Sequence, residues 1–101
     1  MRTEVTDNPG RSRYEIRADG ELAGFAEYRG KPGLIAFIHT EVDDRFEGHG
    51  LGSELIRAAL DRAREKGDSV LPFCPFVLAF IEKHREYAGL VPSEQRASFG
   101  L

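Results

Sequence analysis

The sequence predicts an α/β (α+β) domain in which a small sheet carries two helices, and three features of the chain predict it. Short runs in the first half alternate apolar with polar residues at the period of a strand. Residues 52–63 then carry one apolar stripe at the period of a helix. Between these regimes Gly48, Gly50 and Gly52 stand at alternate positions, which puts them on the turn from strand to helix.

A chain of 101 residues suits one domain. Folding at this size buries about 60% of the chain's surface, enough for one modest core. With 41% hydrophobic and 31% charged residues, the composition is that of an ordinary soluble globular domain. The net charge is −3 and the Lys and Arg residues are scattered, which argues against a nucleic-acid partner. No apolar run is long enough to span a membrane and no signal-peptide core opens the chain, so no membrane partner is expected. The single Cys forms no internal disulfide, so a reducing, cytoplasmic setting is expected. Neither it nor the three His residues fall at metal-ligand spacing, and no metal is expected.

Residues 1–12 lack periodicity and read as a flexible leader. The folded domain is expected over residues 13–91, followed by a polar C-terminal tail over 92–101. From Arg13 the pattern alternates, with Tyr14, Ile16 and Ala18 on one face and Arg13, Glu15 and Arg17 on the other. Asp19-Gly20 is a two-residue hairpin signal, so the run from Leu22 to Tyr28 should return antiparallel. Breakers fill Arg29 to Gly33. Leu34 to Val42 is apolar on both faces at first, which suits a central strand covered on both sides, and turns polar at His39, Thr40 and Glu41.

The main helix is expected over about Gly50 to Lys66, with Gly52, Leu55, Ile56, Ala59, Leu60 and Ala63 on its inner stripe and Gly67 just past its end. Val70 to Cys74 reads as a short edge or splayed strand because Pro72 donates no hydrogen bond. Pro75 fits the first position of a second helix, with Cys74 as its cap. Phe76, Val77, Phe80, Ile81 and His84 form its inner stripe, its end is expected near Tyr87 to Gly89, and Leu90-Val91 would add a last short strand.

The glycine turn carries the chemistry. Glycine lets a ligand approach the backbone and accepts positive φ at little cost. The first turn of the next helix leaves amide N–H groups unpaired at the positive end of its dipole. Together they make a seat for phosphate or pyrophosphate. No Lys follows the glycines, as a Walker loop requires. Ser53 stands where a dinucleotide fingerprint needs its third glycine, and the chain is too short for both halves of that fold.

A third pattern fits in register: Arg45, Gly48 and Gly50 meet R/Q-x-x-G-x-G/A and resemble the pyrophosphate loop of the GNAT acyltransferase superfamily. The resemblance sharpens to a compact branch with His39-Thr40-Glu41-Val42, the glycines 48 to 52, Cys74-Pro75-Phe76-Val77 and His84-Arg85-Glu86-Tyr87 in order. It covers roughly Tyr14 to Val91. It implies a mixed, mostly antiparallel sheet with two helices, and acetyl-CoA or another acyl-CoA as the bound cofactor. Amides around Glu47, Gly48, His49, Gly50, Leu51, Gly52 and Ser53 would hold the pyrophosphate and Arg45 would add charge. The strand end near Glu41 and Val42 would pair with the pantetheine arm, and the gap between the splayed strands would hold the thioester.

Amine acylation needs a base, donors for the oxyanion and an acid for the thiolate. His39 and Glu41 lie two apart on one strand, and either would serve as base; the alternative is a solvated strand end. Cys74, at a helix N-terminus, would lie beside the acyl group or accept it; the alternative is a small buried hydrophobe. The Tyr that many GNAT enzymes carry in the second helix is replaced here by Phe80 or Ile81. The expected function is acyl-CoA-dependent N-acyl transfer to an amine, such as an exposed Lys, an N-terminus or a small polyamine. The alternative is a CoA-binding module with little turnover. A monomer is expected, or a weak homodimer through an exposed edge strand.

Overall fold

The Asp19-Gly20 hairpin is the simplest passage from residues to structure. In the computed structural model, which describes residues 1–101, β2 (Arg13–Ala18) and β3 (Glu21–Lys31) pair antiparallel across those two residues. Both take positive φ, 50° at Asp19 and 86° at Gly20, which matches the turn's twist to that of the strands. Tyr14, Ile16 and Ala18 are buried as the alternation requires. β4 (Leu34–Val42) pairs antiparallel with β3, and β5 (Ser69–Pro72) pairs parallel with β4. The sheet is mixed and mostly antiparallel, as expected.

Residues 1–12, expected as a flexible leader, are structured instead. β1 (Thr3–Asn8) pairs antiparallel with β2 from Thr3 opposite Ala18 to Asn8 opposite Arg13, and completes the order β1-β2-β3-β4-β5. It hides from periodicity because it is a polar edge strand in which only Val5 packs on the core. Its hold comes from the ladder and from side chains. Tyr28 donates its hydroxyl to Asp7 at 2.6 Å, Thr3 bonds Glu54, and the Arg2 amide donates to the Asp19 carboxylate at 2.9 Å.

α1 (Leu51–Lys66) begins one residue after Gly50 and ends at Gly67, whose amide donates to the carbonyls of Ala63 and Arg64. Its predicted stripe is buried. α2 (Pro75–Lys83) starts at Pro75 as expected but is shorter. The His84 amide bonds both Phe80 and Ile81 carbonyls, the shared bond of a helix tightening, and a 3-10 stretch Arg85–Leu90 follows. No strand forms at Leu90-Val91; Val91 is instead fully buried in the core. Phe76, expected on the inner stripe, is 43% exposed and lies over Gly52.

The two helices lie side by side on one face. Phe76 of α2 touches Gly52, and the Tyr87 hydroxyl donates to Asp61 of α1 at 2.6 Å while Arg57 donates to it at 3.2 Å. β4 is therefore covered on one face rather than two: Ile35 and Phe37 are buried, whereas Ile38 is exposed. Residues 92–101, expected as a polar tail, fold back as α3 (Ser93–Arg96) and the turn Ala97–Phe99. Arg96 donates to the Val91 carbonyl at 2.8 Å, and Phe99 meets Phe73 edge-on with ring centres 5.4 Å apart. Spacing hid this because only Phe99 and Leu101 of the segment are large apolar residues.

On the uncovered face Glu15 is buried, although its strand position reads as solvent-facing. Arg13 donates to it at 2.8 Å, Arg17 at 3.1 Å and Asn8 at 3.2 Å. Burial alone would raise its pKa, but these donors outweigh burial and hold it below the usual carboxylate range. A depressed folded pKa contributes stability above the unfolded value that is lost as pH falls through the folded one. Glu15→Gln should therefore cost about 1.5–3 kcal/mol at neutral pH. Denaturant titrations across pH should show the gap to wild type closing below the ordinary carboxyl pKa of 4.5.

Candidate functional site

The site begins where β4 and β5 part. Their pairs run from Leu34 opposite Ser69 to Phe37 opposite Pro72 and stop there. The next amide on that side, of Phe73, turns back to the Leu71 carbonyl at 3.1 Å instead of continuing the ladder. The chain turns away, the Cys74 amide donates to the Phe37 carbonyl at 2.9 Å, and Pro75 starts α2. β4 runs on to Val42 with β3 as its only partner. Its other edge, Ile38 to Val42, presents backbone donors and acceptors to an open gap, as the splayed-strand reading expected.

A bulge sits at the same place. Glu27 pairs with His39 and Tyr28 with Phe37, which leaves Ile38 without a partner on β3. An inserted residue reverses the facing of all that follow. Ile35 and Phe37 point into the core, but His39 and Glu41 leave it, while Thr40 and Val42 turn inward. His39 Nε2 and Glu41 Oε1 lie 3.0 Å apart, both side chains more than half exposed. The His39 ring meets Phe25 edge-on at 6.2 Å, and Arg13 stacks over the other side of Phe25 at 4.5 Å.

Cys74 lies on the opposite face. It is 3% exposed, belongs to the core, and sets its thiol 3.4 Å from the Thr40 hydroxyl. The three residues first read together are thus two groups: an exposed His39–Glu41 pair, and Cys74 buried beside the half-buried Thr40 at the apex of the gap. Thr40 is the residue that spacing did not single out, because only the bulge turns it toward Cys74.

The glycine turn closes the open end. Gly48 and Gly50 take φ of 83° and 71° with free space where a Cβ would stand, so conformation rather than crowding selects glycine there. The first bond into α1 is from the Glu54 amide to the Gly50 carbonyl. The six amides from Gly48 to Ser53 have no acceptor within the protein, and they stand at the head of a sixteen-residue helix, a geometry that favours a negative charge. Gly52 is the exception among the glycines of this turn: a Cβ would come within 2.7 Å of the Phe76 ring, so it is small to admit α2.

Arg45, expected to add charge to that seat, is tied back. Its guanidinium pairs with Asp43 at 3.2 Å and Glu21 at 3.4 Å, and both hold its pKa above the ordinary value, Asp43 foremost. Glu47 caps the short 3-10 turn Asp44–Phe46, and His49 is exposed inside the loop. Tyr87 supplies no acid to the gap. Its hydroxyl is committed to Asp61, and burial followed by the Asp61 carboxylate pushes its pKa up.

Two substitutions separate crowding from strain. A Cβ at Gly24 would sit 2.6 Å from the Glu41 carbonyl oxygen, so Gly24→Ala should push out the end of β4 at a cost of about 1–3 kcal/mol. Gly50→Ala meets no atoms but should cost about 1–2 kcal/mol in backbone strain. Gly50→Asn should recover much of it, since Asn tolerates the left-handed region. Thermal melts read all three, and equal losses for Ala and Asn at position 50 would contradict the strain account.

Known proteins share both sequence and fold. Residues 13–90 match the family described as GCN5-related N-acetyl-transferase. The solution structure of a GCN5-like protein from Staphylococcus aureus is similar at 24% identity and TM-score 0.66, covering 88% of this chain and 87% of that one. Ard1 from Thermoplasma volcanium is 30% identical with TM-score 0.51, over 58% of this chain and 41% of its own. A ribosomal-protein-alanine N-acetyltransferase from Brucella melitensis biovar Abortus is 23% identical with TM-score 0.56, over 80% and 61%. The chain thus spans well under two thirds of Ard1, and most of the staphylococcal protein. The free amides at a glycine turn, the parted strands and the match over residues 13–90 agree: the chain belongs to the GCN5-related N-acetyltransferases, enzymes that transfer an acyl group from acetyl-CoA to an amine.

Proposed function

We propose that the protein acetylates an amine directly, with the cofactor's pyrophosphate on the amides from Gly48 to Ser53 and its pantetheine arm along the open edge of β4. The observation that carries this reading is the presence of two rows of unpaired backbone groups on the two sides of the short turn Asp44–Phe46. One row is the amides of the glycine turn and the other the strand edge that β5 releases after Phe37, while the amides of Asp43, Arg45, Phe46 and Glu47 between them are bonded within the protein. Val42 would meet the arm at the end of the strand edge, with Arg45, Glu47 and His49 bordering the diphosphate. The acyl carbonyl would then lie near the apex, beside Cys74 and Thr40.

His39 is the proposed base. Glu41, as a carboxylate, accepts from Nε2–H, which fixes the tautomer and leaves the Nδ1 lone pair free. Nδ1 takes one proton from the ammonium, and the amine nitrogen attacks the thioester carbon. Backbone N–H groups of the β4 edge would hold the oxyanion. The C–S bond breaks, a second nitrogen proton passes to the leaving thiolate, and His39 returns its proton to solvent. Because the sheet face around His39 is uncovered, an exposed Lys, a protein N-terminus or a small polyamine suits as acceptor. A cytoplasmic monomer or weak homodimer without nucleic-acid or membrane partners fits the composition.

A second reading rests on where Cys74 sits, at the apex and at the N-terminus of α2. There it would accept the acetyl group before passing it on. Acetyl transfer to spermidine and to a lysine peptide, followed with intact-mass measurement, separates the readings. Direct transfer predicts that His39→Gln lowers kcat by about 10²–10⁴ with CoA affinity kept, and that Cys74→Ala retains turnover. A transient acetyl adduct on Cys74, with turnover lost in Cys74→Ala, would replace direct transfer by the acyl-enzyme route. CoA binding without turnover on any amine would leave a binding module.

A further inference from the structure

The uncovered face of the sheet carries two rows of side chains that run across the strands. One row is Arg13 on β2, Glu27 on β3 and His39 on β4; the next is Glu15, Phe25 and Glu41. Residues directly opposite one another share a face, with Cβ atoms about 5 Å apart. Every member of the second row is engaged. Glu15 accepts from Arg13 and Arg17, Phe25 lies under the Arg13 guanidinium at 4.5 Å, and Glu41 stands 3.0 Å from His39 Nε2.

The first row is different. Arg13 and His39 both lean toward the second row, and Glu27 between them is left with no ion pair and no hydrogen bond. The next cation along β3, Arg29, turns to the Tyr28 carbonyl at 3.4 Å. Glu27 is half-buried, and a carboxylate partly withdrawn from water attracts a cation more strongly than one in open solvent. A free carboxylate thus stands directly across from the proposed base, one strand spacing away, about 5 Å. The side chains of Arg13 and Phe25 border it, so a thin alkyl chain reaches it more readily than a bulky group.

We infer that Glu27 holds a second ammonium of the acceptor, which makes the substrate a small diamine or polyamine rather than an amine with a single charge. The inference rests on the reading of His39 as the base for direct transfer. While the reacting amine gives its proton to Nδ1 of His39, the far end of a short diamine lies over β3 and donates to the Glu27 carboxylate. Such a charge-assisted bond is stronger than any that a neutral amide in its place accepts. Because Glu27 is remote from the reacting carbon, its contact is the same before and during the reaction, so it acts on KM and not on kcat.

Steady-state acetylation of putrescine, of butylamine and of a lysine peptide by the whole chain at saturating acetyl-CoA tests it. The first two share their carbon chain and differ in the second ammonium. Wild type should favour putrescine over butylamine about tenfold in kcat/KM, the preference worth one charge-assisted contact. Glu27→Gln should raise KM for putrescine about tenfold with kcat kept and leave butylamine unchanged, whereas Glu27→Asp should keep part of the preference. An unchanged preference in Glu27→Gln, or an equal loss on both amines, would overturn the inference and leave acetyl transfer by His39 standing. Turnover of the lysine peptide alone would do the same. No turnover of any of the three by wild type would overturn the reading of the site together with the inference.

Discussion

The site depends on where β4 loses its partner. Phe37 opposite Pro72 is the last pair between β4 and β5, because the Phe73 amide, next to face β4, folds back onto the Leu71 carbonyl. One diverted N–H releases five residues of β4 from one side. It also sends the chain through Cys74 into α2, and the Cys74 amide returns to Phe37 to fix the angle of departure. With β5 continuing alongside, the edge from Ile38 to Val42 would be an interior ladder with nothing left to offer a ligand. The bulge at Ile38 acts at the same level. It turns His39 and Glu41 out of the core while Phe37 stays in it, so a buried strand ends in an exposed polar pair without a break.

The uncovered sheet face is ordered by charge rather than by a helix. Glu15 is buried under Arg13, Arg17 and Asn8. That pins Arg13 over Phe25, and Phe25 in turn lies edge-on to His39. Each contact is modest, since a cation over a ring at a half-exposed site is worth about 0.5–1 kcal/mol. Together they give the outermost side chain a fixed neighbour on an open surface. The other face is held by packing, with α1 and α2 joined through the Tyr87 hydroxyl and through the absence of a side chain at Gly52.

Much of this was legible in the residues. The hairpin, the glycine turn, the α1 stripe and the start of α2 each follow from a local signal whose cause is local: positive φ, a 3.6-residue period, a proline at the first helical position. What stayed hidden has non-local causes. β1 is polar because it is an edge, so no alternation marks it. The bulge leaves no mark in spacing, and Leu34 to Val42 read as covered on both sides because its apolar run precedes the reversal. Thr40 and Cys74 are separated by 34 positions and meet only through the parting of the strands. The C-terminal residues return because one aromatic, Phe99, finds another just past β5 at Phe73. Tyr87 and Asp61, 26 positions apart, likewise meet only in the fold.

The central claim is that unpaired amides at the glycine turn and the released edge of β4 together seat acetyl-CoA. Amide chemical shifts recorded during a CoA titration of the ¹⁵N-labelled chain test it most directly. The account predicts saturable changes concentrated at Gly48 to Ser53 and along Ile38 to Val42, with β1 and the C-terminal end of α1 unmoved. Saturable binding whose shifts lie elsewhere, or no binding at all, would contradict it.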